Sequence, residues 1–292
     1  MGGGNGSVVL GRVEVIDPSD IDPSPSSADN YEEKFVGRGG QSRVYVAEYD
    51  NDMRAVKVFP LGFATVRDYV NFRREIRVMQ FFNDSNIVRV YGAVLNRHYP
   101  CIVMEYCSQG PLNRLMGQLS IGQRLYAIRC VARGLSVLHK HLVAHRDLKP
   151  ANVFVDRGGN AQIGDFGMAK VMSESSGMTK SANVGTVLFM SPEAARGECA
   201  GMEWLKSDMW SFGMLCYNVL TNSTPYEGRD NGLQHYIANM KQMIVPNNIP
   251  KEVPAEVVDM VKQCLQVNPS ARPTAQDAIK ILFPVPKSPI RK

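Results

Sequence analysis

From Glu32 the chain alternates apolar and polar residues in short β-rich runs: EKFVGRG, SRVYVAEYD and RAVKVFP, then, after one helical stretch, IVRVYGAVLN and CIVMEY. Runs of that length and composition predict an antiparallel β unit carrying a single helix. The helical stretch, YVNFRREIRVMQFF (residues 69–82), puts Phe72, Ile76 and Met79 on one face, and Glu75 falls on that same inward side. After Glu105 the pattern becomes mainly helical. Ser120 and Gln123 form a capping-box pattern ahead of Leu125, Ile128, Ala132, Leu135 and Leu138, which recur at helical spacing. WSFGMLCYNVL (residues 210–220) is apolar nearly all round and predicts a centrally buried helix. Further helices are expected from near Asn231, Pro254 and Thr274. The predicted class is α+β, with strands first and helices after.

The ends read differently. Residues 1–29, which include DPSDIDPSPSSAD, are rich in Gly, Ser, Asp and Pro, offer nothing to bury, and are expected to form a disordered arm. MGGGNGS resembles a myristoylation start, with Ser7 one place later than that pattern wants.

Composition narrows the function classes. The 292 residues, 44% of them apolar, suffice for a sizeable core. The net charge of +5 comes from scattered lysines and arginines without a basic run, so no nucleic-acid partner is expected. No apolar run approaches the ~20 residues of a membrane span and no signal segment opens the chain, so a cytoplasmic location without a transmembrane segment is expected. The six cysteines show no CxxC spacing and sit mostly in apolar stretches, as reduced intracellular thiols would. His139, His141 and His145 lack a cysteine or carboxylate partner at zinc-ligand spacing and read as surface or core histidines.

Chemistry concentrates in AHRDLKPANVFV (residues 144–155) and IGDFGMAK (residues 163–170). Phosphoryl transfer requires a hydroxyl aligned with a phosphate and charge neutralised by metal ions and cations, and Asp147, Lys149, Asn152 and Asp165 are the right types for that task. Gly37, Gly39 and Gly40 lie between two strand-like runs, where they could let backbone amides approach phosphates or form a plain hairpin turn. Lys57 lies in AVKV, where alternation sets Lys57 and Ala55 on one face and Val56 and Val58 on the other. An isolated lysine there could equally face solvent.

With HRDLKPAN, DFG, GTVLFMSPE (residues 185–193), SDMWSFG (residues 207–213) and NPSARP (residues 268–273), the chain resembles a eukaryotic protein kinase of the Ser/Thr type, from about Tyr31 to Phe283. The flavour of NIVRVYGAV and EYCSQGPL is closest to the tyrosine-kinase-like branch. The resemblance implies a bilobal fold: a kinase domain over residues 30–284, with the small lobe at 30–105, the large lobe at 106–284 and a tail at 285–292. It also implies roles. Asp147 would orient the acceptor hydroxyl, Lys149 would reach the γ-phosphate, and Asn152 and Asp165 would hold Mg2+. Lys57 would bind the α- and β-phosphates of ATP, held by Glu75. Gly37, Arg38, Gly39, Gly40, Val44, Ala55, Met104 as gatekeeper, Glu105 and Cys107 of the hinge, and Phe154 would line the nucleotide site. Ser42 replaces the third glycine of the loop pattern and Ser191 an alanine usual in the family. Asp208 would hold the catalytic-loop backbone, and Glu193 would pair with Arg272. Lys149 and Thr186 point to Ser/Thr acceptors in protein substrates. Arg146 would await a phosphate placed by an upstream kinase on Ser173, Ser175, Ser176, Thr179 or Ser181, although Ala182 takes a place where many relatives are phosphorylated. A pseudokinase scaffold and a dual-specificity or tyrosine kinase are the alternatives.

Overall fold

Asp50 and Asn51, both at positive φ (54° and 55°), join two strands through a two-residue turn, the type I′ geometry that Asp and Asn tolerate. In the computed structural model, which describes residues 14–22, 35–38, 42–59, 65–95, 99–172, 187–223, 226, 233–241 and 248–291, that hairpin belongs to the first of two compact units. Its strands are β1 (Phe35–Arg38), β2 (Arg43–Tyr49), β3 (Asp52–Val58), β4 (Val90–Val94) and β5 (Cys101–Glu105), antiparallel in the order β1-β2-β3-β5-β4. Helix α1 (Val66–Phe81) buries Phe72, Ile76 and Met79, the stripe expected of it. Register sets Val44 opposite Lys57 and Ala55 opposite Met104, so these four side chains share one face of the sheet. Tyr45, Ala47, Val56, Val58, Cys101 and Val103 form an apolar cluster on the other.

That second face corrects the reading of residues 1–29 as a disordered arm, at least over 14–22. Ile16 and Ile21 are buried in the cluster, and the 3-10 turn Pro18–Asp20 between them is capped by Asp17, whose Oδ1 accepts from the Ser19 amide at 2.9 Å. Val15 bridges Ala93 on β4 and Asp22 bridges Glu48 on β2. The segment does have something to bury: two isoleucines, each worth about 1.5–3 kcal/mol when fully removed from water.

The second unit begins at Gln109 rather than at residue 106. Glu105 stays with the first unit by donating its amide to Arg89 O (2.8 Å), whereas the Gln109 amide donates to Val155 O (3.2 Å). Its elements are β6 (Gly110–Pro111), α2 (Ile121–Lys140), β7 (Val143–Ala144), β8 (Val153–Val155), β9 (Ala161–Ile163), β10 (Lys170–Val171), α3 (Pro192–Arg196), α4 (Glu203–Thr221), α5 (Leu233–Ala238), α6 (Ala255–Cys264) and α7 (Ala275–Leu282). The capping box opens α2: the Gln123 amide donates to Ser120 Oγ (3.3 Å) and the Ser120 amide to Gln123 Oε1 (3.0 Å). Helix α4 is the central one, with Met209, Trp210, Phe212, Met214 and Leu215 fully or almost fully buried. All six cysteines are buried, and none forms a disulfide.

Residues 285–291, expected to be a tail, are instead part of this unit. Val285 and Ile290 are buried. The Ile290 amide donates to Gly159 O (3.0 Å), Ile290 O accepts from Gln109 Nε2 (2.8 Å), and Arg129 donates to Val285 O. Gly159, at φ +80°, makes room: a Cβ there would lie 2.6 Å from the Ile290 nitrogen. Among the described residues no helix is long and apolar enough to cross a membrane.

Candidate active site

Residues 145 and 146, in the expected catalytic loop, are held by one carboxylate. Asp208, buried on α4, accepts the His145 amide on Oδ2 and the Arg146 amide on Oδ1, both at 2.8 Å, and His139 Nε2 bonds Oδ2 at 3.0 Å. Three donors satisfy a charge that burial alone would penalise by several kcal/mol. His145 continues the scaffold: its Nε2–H donates to Gly164 O (3.0 Å), and its Nδ1 accepts the Asp147 amide (3.3 Å). The ring thereby spans the two motifs, with Phe166 edge-on at 5.2 Å.

Asp147 lies at the centre of the resulting cluster. Lys149 Nζ donates to Oδ1 (3.0 Å) and Oδ2 (2.9 Å), and Asn152 Nδ2 donates to Oδ2 and to the Asp147 carbonyl, both at 2.8 Å. With its amide nitrogen committed there, Asn152 keeps Oδ1 as the oxygen available to a cation. The Gly164 amide donates to Asn152 O (2.9 Å), which brings the next residue, Asp165, beside the loop. Asp165 is exposed, at φ 59°, and Phe166 behind it is buried. A carboxylate and an amide oxygen are hard donors of the kind Mg2+ takes together with phosphate oxygens, so the residues present fit that ion.

Around this cluster, Arg146 stacks on Trp204, its guanidinium 4.2 Å from the ring centroid. Burial pulls its pKa below the ordinary arginine value, with the Asp208 carboxylate opposing the shift. Lys170 and Val171 pair with Ala144 and Val143, anchoring the start of the segment after DFG. At that segment's far end Ser191 is fully buried, caps α3 through the Ala194 amide (3.3 Å) and bonds Ser207 Oγ (2.8 Å), so the hydroxyl that replaces alanine has two partners. Glu193 and Arg272 form the expected buried pair at 2.6 and 2.9 Å.

Of the residues expected to line a nucleotide site, Val44, Ala55, Lys57 and Met104 share the sheet face already described, Ala55 buried and the others half-buried. Gly37 and Arg38 lie on β1, opposite Val44 and Arg43, and Glu105 ends β5. Cys107 is buried and follows β5, and Phe154, half-buried on β8 of the second unit, pairs with Pro111 and Gln162. Ser42, at the third loop position, is buried. Gly39, Gly40, Ser173, Ser175, Ser176, Thr179, Ser181, Ala182 and Thr186 lie outside the described residues, as does the side chain of Glu75, whose backbone is in α1. His139, which spacing alone assigns to no site, joins the scaffold through Asp208. No local signal could have placed it, because its partner Asp208 comes from α4, far along the chain.

Residues 31–283 match the family model described as the protein kinase domain. The chain belongs to the protein kinase family. This kinase is similar to a "Probable cell cycle serine/threonine-protein kinase CDC5 homolog" of Encephalitozoon cuniculi, with 29% identity over 86% of the chain and 53% of that protein. It is also similar to mitogen-activated protein kinase kinase kinase 13-B of Xenopus laevis, with 30% identity over 82% of the chain and 24% of that protein. Serine/threonine-protein kinase STY17 of Arabidopsis thaliana is 28% identical over 86% of the chain and 43% of its own length. The kinase thus spans about half or less of these relatives.

Proposed function

We propose that the chain is a protein serine/threonine kinase that transfers the γ-phosphate of ATP to hydroxyls of protein substrates. The observation that carries this reading is the cluster of Asp147, Lys149 and Asn152, tied through Asn152 O to the turn bearing Asp165. Asp147 accepts the proton of the acceptor hydroxyl and aims its oxygen at the phosphate, while Lys149, already within hydrogen-bond distance of that carboxylate, neutralises charge developing on the transferred group. Asn152 Oδ1 and Asp165 would hold Mg2+, whose charge would shield the phosphate oxygens. Lys57, oriented by Glu75, binds the α- and β-phosphates. Gly37, Arg38, Gly39, Gly40, Val44, Ala55, Met104, Glu105, Cys107 and Phe154 surround the rest of the nucleotide. Two of the relatives described above are named as serine/threonine kinases, and Lys149 agrees with that acceptor class. The tyrosine-kinase-like placement is supported by the sequence flavour of residues 86–94 and 105–112. Cytoplasmic residence, and an upstream kinase whose phosphate meets Arg146, belong to the same reading.

The test is transfer from γ-labelled ATP with Mg2+ to a generic protein acceptor, run beside Asp147→Asn and Asp165→Asn. Phosphoserine and phosphothreonine from the wild type alone are expected. Equal signal from all three proteins would remove the kinase reading, and predominant phosphotyrosine would overturn the acceptor class.

A further inference from the structure

Residues 14–22 precede the stretch that the family model matches, yet they are bonded into the first unit on three sides. At β4 the Ile16 amide donates to Ala93 O (2.9 Å) and the Ala93 amide to Glu14 O (3.0 Å). At β2, beyond the Arg43–Tyr45 stretch that β1 covers, Asp22 and Glu48 exchange amide bonds of 3.0 and 2.8 Å. Between these points Ile16 and Ile21 are 4% and 1% exposed. Gly92 provides the seat for Ile16: a Cβ there would meet Ile16 Cδ1 at 2.6 Å and Cγ1 at 2.7 Å. The third side is α1. Gln80 Oε1 accepts the Glu14 amide and Gln80 Nε2 donates to Tyr91 O, both at 3.1 Å.

One side-chain amide therefore joins helix, segment and sheet. The apolar stripe of α1 resists lifting off the sheet, but dispersion contacts are non-directional and oppose sliding or rolling weakly. Hydrogen bonds are directional and supply that restraint. Gln80 lies five residues beyond Glu75, about 7.5 Å along the helix at 1.5 Å per residue, so a tether there limits where Glu75 can be. We propose that residues 14–22 form a strap that holds α1 in its working position, with Gln80 as the positioning residue through which the strap acts. The inference rests on the reading of Glu75 as the partner of Lys57.

The test uses full-length protein well below its unfolding temperature. Gln80→Leu removes both tether bonds, and Gly92→Val evicts Ile16 from the sheet side without touching the strap's own sequence. Each is expected to lower kcat/KM for ATP about tenfold, or about 1.4 kcal/mol. Gly92→Val is also expected to speed hydrogen exchange at Ile16, Asp22 and Glu48. Added to Glu75→Gln, which has already uncoupled the helix, Gln80→Leu should bring no further loss. Wild-type kcat/KM in Gln80→Leu and Gly92→Val, whatever their melting temperatures, refutes the strap, as do losses that simply add in the double variant. An unimpaired Glu75→Gln protein refutes the assignment of Glu75 instead, and an impaired Glu75→Gln beside an unimpaired Gln80→Leu refutes the strap alone.

Discussion

Replacing Arg272 with methionine should destabilise the second unit by about 3–5 kcal/mol, because it strands a buried carboxylate. The Arg272 side chain is 0% exposed and that of Glu193 6%. It donates to Glu193 Oε1 and Oε2 at 2.6 and 2.9 Å, to Gln266 O at 2.8 Å, to Lys206 O at 2.9 Å and to Val267 O at 3.2 Å. Methionine fills part of the volume but answers none of those acceptors. Glu193→Gln keeps an acceptor and leaves Arg272 its three carbonyls, so a smaller cost of about 1–3 kcal/mol is expected. The double variant should lose less than the sum, since no charge is then stranded. Urea unfolding followed by tryptophan fluorescence suits the measurement. Trp204 and Trp210 are the chain's only tryptophans, both lie on α4, and the Trp210 ring is 5.1 Å from the Arg272 guanidinium. A shift below about 1 kcal/mol at unchanged m-value for Arg272→Met, or full additivity in the double variant, would refute the reasoning.

Ser191→Ala restores the residue usual in the family but removes a cap and the Ser207 partner, so a loss of about 1 kcal/mol by thermal melting is expected, with kcat unchanged; a neutral or stabilising result would contradict it. Gly159→Ala collides with the Ile290 backbone and is strained at φ +80°, and should release residues 285–291 to limited proteolysis; an equally resistant tail would show that the contact can relax. Asp277, in the capping box of α7, has its pKa lowered from 3.8 to about 2 by the hydrogen bond from the Thr274 side chain and then by that from Lys280. A lowered folded-state pKa adds stability that is fully present above about 3.8 and lost as pH falls toward 2, so the gap in urea midpoint between wild type and Asp277→Asn should shrink between pH 5 and pH 3. A constant gap would rule that linkage out.

The catalytic-loop cluster could be anticipated because its chemistry tolerates few residue types and packs them into contiguous motifs: Asp147, Lys149 and Asn152 lie within six positions. The start of α2 was equally local, since Ser120 and Gln123 meet across one turn. The strap could not be read this way. Ile16, beside Val15, and Ile21 lie in an acidic, proline-containing stretch, and what buries them is a sheet face assembled from residues far along the chain, Val94 and Cys101 among them. Residues 285–291 escape for the same reason, because their partners Gly159, Gln109 and Arg129 are distant in sequence. The scaffolding role of His139 also depends on α4 bringing Asp208 to it, which no spacing within the HxHxxxH stretch reveals.

On the proposed kinase reading, Asp208 would govern turnover without meeting a reactant. Its two oxygens clamp consecutive peptide units of the loop and a histidine at the end of α2, and only 1% of the residue is exposed. On that reading, a mutational screen scored on product alone would rank it with Asp147. Small carboxylates added to the buffer, which can restore enzymes missing a solvent-reachable acid, have no entrance to this one. Grafting the loop onto another scaffold would therefore mean transplanting its buried counterpart on α4 as well.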